Sequence, residues 1–181
     1  SAQVAASGQA LMQSQRLAKS VSQARVGSAG AFPEVRESAD VLGKNVRSLK
    51  TGEGDIAAAP DNVQTALDPV MPLVERAGKN AAIVLAQQKV LTQVGLSLRA
   101  INRQSADLLD VAETVSSLKV QREASPGELS AVGQLVMLTQ RIGKSANEFL
   151  TTEGVSPEAV FLLGKDLNTF RDLGIGLLEG D

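Results

Sequence analysis

The chain has 181 residues, is 43% hydrophobic and carries a net charge of −2 with neither Cys nor His. That length and apolar content suffice for one good core or two small ones, and the absence of Cys excludes a disulfide framework and thiolate metal sites. Lys and Arg are dispersed rather than gathered into a cationic stripe, so nucleic acid is excluded as a partner, and aromatics reach only 2%, all Phe, which favours helices over a sheet.

The predicted elements follow in chain order. Helical spacing runs from Val4 to Val26, and Gly27-Ser28-Ala29-Gly30 stops it with residues that tolerate left-handed backbone. Pro33 suits the first turn of a second helix reaching about Lys50, with Glu34 and Glu37 at the positive end of its dipole. Thr51 to Pro60 reads as a loop, and Asp61 or Asn62 caps a third helix that Pro69 and Pro72 kink or shorten. From Gln88 a seam of Leu91, Val94, Leu98, Ile101, Ser105, Leu108, Ala112 and Val115 predicts one long helix with a packed face. Ser125 and Glu128 form a capping box around Pro126, opening a helix to Leu150, and Ser156-Pro157-Glu158 opens the last one. No apolar run approaches the roughly 18 residues of a membrane span, and no signal-like segment opens the chain. A soluble region belonging to a longer protein is expected.

The chain repeats itself. Gly8 to Ser20 aligns without gaps to Gly133 to Ser145, and seven of fourteen residues from position 8 to 21 are identical in the copy. Leu42-Gly43-Lys44 recurs as Leu163-Gly164-Lys165. The expected fold is therefore all-α: an up-down four-helix bundle module over residues 1–124, then the first two helices of a second, similar module over 125–181, with its return helices beyond Asp181. Advancing about 100° per residue, the identities Gly8, Gln9, Met12, Gln15, Arg16, Lys19 and Ser20 share one arc. The opposite face, Ala10, Leu11, Ser14, Leu17, Ala18 and Val21, is expected in the core, as are its substitutes Leu135, Val136, Thr139, Ile142, Gly143 and Ala146. Drift should erase identities first on a merely solvated surface, which is the plain alternative. The repeated face instead suggests a ligand-binding or dimer face: Met12, Gln15, Arg16 and Lys19 in one copy, Met137, Gln140, Arg141 and Lys144 in the other. Both arginines are expected about 170° from the core stripe, unpacked by their own bundle.

Catalysis has little to stand on, because Asp, Glu and Lys are the remaining acids and bases. Asp107 and Asp110 read as a solvated pair, and Glu53 and Asp55 as turn residues in a loop without a calcium-ligand series. Ser14 and Thr139 are expected to bond the preceding turn rather than act as nucleophiles, Lys19 and Lys144 to snorkel, and Gly43, Gly78 and Gly95 to mark close packing or hinges. No enzyme activity, cofactor or metal is expected. A soluble helical adaptor has the same composition but gives no reason for a repeated outward face.

The doubled Met-x-x-Gln-Arg-Leu/Ile-x-Lys-Ser pattern, with the Leu-Gly-Lys helices, the loop, the long helix and the closing Leu-Leu-Glu-Gly-Asp, resembles the sensing region of the PilJ family of type IV pilus methyl-accepting chemotaxis proteins. A weaker resemblance, through Met12 to Leu17, links it to the nitrate sensor kinases NarX and NarQ. These resemblances imply a periplasmic helical bundle of an inner-membrane receptor, homodimerisation, a pilin or small-ligand stimulus, and signalling to a cytoplasmic chemotaxis kinase through domains outside this sequence. In the nitrate sensors an Arg immediately before the Met grips the anion, and Leu11 and Val136 stand there instead. Nitrate binding does not carry over.

Overall fold

A computed structural model describes residues 2–151 and 156–180. Its described residues form seven α-helices and no strand: α1 (Ala2–Arg25), α2 (Ala31–Thr51), α3 (Asp61–Leu67), α4 (Val70–Ala86), α5 (Gln88–Gln121), α6 (Pro126–Thr151) and α7 (Pro157–Glu179). The fold is an all-α helical bundle, as composition and period required.

Turn chemistry explains most boundaries. After α1, Gly27 adopts φ 77°, and its N–H and that of Ser28 donate to the carbonyls of Ala24 and Gln23, closing a Schellman motif. The same pair of bonds ends α5, from Glu123 to Val120 and from Ala124 to Lys119, but there Glu123 must hold φ 51°. Glu128 N–H donates to Ser125 Oγ while Ser125 N–H donates to Glu128 Oε2, so the capping box forms as read. Ser156 accepts from Ala159 N–H at 3.1 Å with Pro157 in the first turn of α7. Pro69 separates α3 from α4 rather than kinking a single helix, and the α2 terminus is closed by α3 and its end: Gln64 Nε2 donates to Lys50 O at 2.7 Å, and Lys50 pairs with Asp68.

Compact packing divides the chain into two units, Ser1–Val94 and Gly95–Asp181. In the first, Leu17, Ala24, Phe32, Val35, Leu42, Val46 and Ala81 form a core joined by Met71, Val74 and Leu91. In the second, Ile142, Phe149 and Leu163 form a smaller one with Leu98, Ile101 and Phe170 against it. The boundary falls inside α5 because Leu91 serves the first core, whereas Leu98 and Ile101 serve the second. Compactness thus divides the chain upstream of the repeat boundary at Ser125, and the modules 1–124 and 125–181 stand as a proposal from the repetition. The α5 seam is only partly used: Ala112 is buried, but Val94 and Leu108 are exposed.

Candidate sensing and partner face

The first motif helix is rolled relative to its sequence expectation. Ala6, Gln13, Leu17, Ser20 and Ala24 are its buried residues, three or four apart, while Leu11, Ser14 and Ala18 are exposed. Leu11, expected in the core, is 64% exposed. Three of the five buried residues, Ala6, Ser20 and Ala24, are small, which lets Phe32, Val35 and Leu42 of α2 supply much of the bulk beside Leu17, so the core selects shape complementarity over the burial of Leu11. Identical Ser20 therefore lies inside, donating to Leu17 O at 3.1 Å, and Gln13 is buried with Oε1 lacking a hydrogen-bond partner. In the second copy the expected face does hold the core: Leu135, Thr139, Ile142 and Ala146 are buried, joined by Val132, Leu138 and Phe149. Ser14 and Thr139 bond the preceding turn, to Leu11 O and Leu135 O.

That roll corrects the reading of the arginines. With the α1 stripe centred near Gln13 and Leu17, Arg16 sits roughly 80° from its middle rather than opposite it. Its guanidinium is half-buried and pairs with Glu37 of α2 at 3.3 Å. Arg141 pairs with Asp166 of α7 at 3.1 Å, and that carboxylate is only 8% exposed. Both arginines thus pair with a carboxylate of their own helical hairpin, Arg16 half-buried and Arg141 exposed. Neither carboxylate was singled out from the sequence, because the pairing depends on the register of two antiparallel helices and has no local signature.

The rest of the repeated face points outward in both copies. Met12 is 50% and Met137 46% exposed, and Gln15, Lys19, Gln140 and Lys144 are exposed beside them. Met12, Gln15, Arg16 and Lys19 belong to the first unit; Met137, Gln140, Arg141 and Lys144 belong to the second. Asp107 and Asp110 are solvated, Glu53 accepts from Ser48 Oγ at 3.1 Å within the turn, and no group of three metal-ligating side chains exists among the described residues. A feature missed in sequence is a groove of about 510 Å3 between α2 and α4, with Arg36, Asp40 and Arg47 on one wall and Glu75 and Lys79 on the other. None of these five is in an ion pair.

The family model of the type IV pili methyl-accepting chemotaxis transducer N-terminal domain, PilJ, matches residues 1–100. The chain belongs to the PilJ family. The match covers the first compact unit and the opening of the second, so the second motif helix lies outside it and rests on the internal repeat. No match was found among curated proteins. PilJ domains are N-terminal parts of type IV pili methyl-accepting chemotaxis transducers, and no helix among the described residues is long and apolar enough to cross a membrane.

Proposed function

We propose that this PilJ-family chain is the extracytoplasmic, periplasmic sensing region of an inner-membrane chemoreceptor that controls type IV pilus twitching motility. It is not a catalyst. It acts in a homodimer, receives a pilin or small-ligand signal on the repeated face, and passes it on as a displacement of helices to a cytoplasmic chemotaxis kinase. The observation that carries this reading is the family match over residues 1–100, which contains the first copy of the motif, including exposed Met12, Gln15 and Lys19. An exposed Met beside an amide and an ammonium suits a contact with both apolar and polar parts. Because both arginines are held within their hairpins, the exposed Met and Lys residues are the better probes of the face.

The test places Met12→Asp with Lys19→Glu, and separately Met137→Asp with Lys144→Glu, in the membrane-anchored receptor. Receptor abundance and the helicity of the isolated region should stay at wild-type values, while twitching and association of the sensing region in sedimentation fall. Unchanged motility and association in both variants would return these faces to ordinary solvated surface.

A further inference from the structure

The repeat places α7 in register with α2, and the structure shows both the likeness and its limit. Leu42 and Leu163 are equally buried, each against the motif helix of its own hairpin, and Leu49 and Phe170 both turn inward. On the neighbouring face the two helices part. Ala39, Gly43 and Val46 of α2 are covered, and residues of that face form a groove with α4 that Arg36, Asp40 and Arg47 edge. Their counterparts on α7 are Val160, Gly164 and Leu167, with Pro157, Phe161 and Asn168 in place of the three charges. Phe161 is 69% exposed, Val160 and Leu167 are exposed beside it, and nothing lies within 4 Å of a Cβ built on Gly164, whereas a Cβ built on Gly43 would meet the Arg47 guanidinium at 2.9 Å.

We propose that this face of α7 is a docking surface for one amphipathic helix of the α4 type. The occupant follows from the covered copy. In α4 the residues lining the groove toward α2 are Met71, Val74, Gly78, Ala81 and Leu85, spaced three and four apart, with Glu75 and Lys79 on the wall opposite the charged edge. On α7 every charge of that edge is gone, so the matching helix keeps the small and apolar pattern and is apolar where α4 has Glu75 and Lys79. A charged side chain there would be desolvated against Phe161 with no partner. An aromatic flanked by aliphatic side chains and a glycine that admits close approach is the arrangement in which a helix face seats in a groove.

The probe is a fluorescein-labelled peptide of Val70–Ala86 carrying Glu75→Leu and Lys79→Leu, titrated with the 181-residue chain and read by anisotropy. Saturable binding is expected, weakened at least tenfold by Phe161→Glu or by the milder pair Val160→Ser with Leu167→Ser, and unaffected by Leu11→Glu on α1. The unsubstituted Val70–Ala86 peptide should bind more weakly. Circular dichroism keeps the reading sound, since all these positions are exposed and helicity should not change. The proposal is overturned by absent binding, by equal binding to the wild type and both α7 variants, or by sedimentation showing that the face instead joins two copies of the chain in a dimer that Phe161→Glu dissolves.

Discussion

The hairpins α1–α2 and α6–α7 carry the same motif on their first helices yet bury different things beneath it. In α1 the core side is mostly small, with Ala6, Ser20 and Ala24, and the one aromatic of that core, Phe32, comes from α2. In α6 the positions matching Gln13 and Ala24 are Leu138 and Phe149, so bulk is supplied by the motif helix itself. The arginine pairs differ likewise: Glu37 is 62% exposed and Asp166 is not. What stayed the same is one arc, with Met12, Gln15 and Lys19 exposed on it, and what changed is its support. Cores tolerate such exchanges when volume is conserved across the interface, so a repeated surface over a rebuilt core points to a requirement outside the hairpin.

The widest break in the comparison is an exchange at one repeat position. Leu138→Gln should cost the second unit about 2–3 kcal/mol, because a buried apolar contact is replaced by an amide without a prepared partner. Gln13→Leu, the reverse exchange in the first unit, should stabilise by about 1 kcal/mol by removing a buried Oε1 that lacks a hydrogen bond. Urea unfolding followed by circular dichroism, with amide exchange to assign each change to its unit, measures both. Equal effects of one sign would mean that the two hairpins are not structurally equivalent at this position.

Next in size are the arginines. Arg141→Gln strips the charge partner from a buried carboxylate and should cost about 1–2 kcal/mol, with Asp166→Asn in the same chain recovering part of it. Arg16→Gln removes a solvent-screened pair and should cost about 0.5 kcal/mol or less. Equal losses would show that the burial of Asp166 does not matter. Thermal melts of the three variants beside the wild type suffice.

Smaller effects are expected at the α5–α6 junction. Glu123→Gly relieves left-handed backbone at a helix end and should stabilise by up to about 1 kcal/mol, whereas Gly27 already meets that need after α1. Glu128 accepts from Lys119 Nζ at 2.7 Å and from Ser125 N–H, and these bonds hold its carboxyl below the ordinary value of 4.5, with Lys119 the larger cause. A depressed folded-state pKa contributes stability that is present above the unfolded value and lost as pH falls through the folded one. Acid titration of the urea midpoint should therefore show a modest loss below about pH 4.5 that Glu128→Gln removes.

Helix class, capping at Ser125 and Ser156, the stop at Gly27 and the repeat itself were legible in the sequence, because each depends on residues within a turn or on direct identity. The exposure of Met12, Gln15 and Lys19 was legible too, although identical Ser20 on the same arc turned inward. The roll of α1 was not. A helix built from Ala, Ser, Gln and scattered Leu has only a weak apolar stripe, so the partner decides which side turns inward, and Phe32, Val35 and Leu42 drew in Gln13 and left Leu11 in solvent. The pairing of Arg16 with Glu37 and of Arg141 with Asp166 was decided in the same way, by the register of two antiparallel helices. Local chemistry determined where the helices begin and end, and the division of α5 between two cores followed only once side chains distant in sequence had competed for the same buried space.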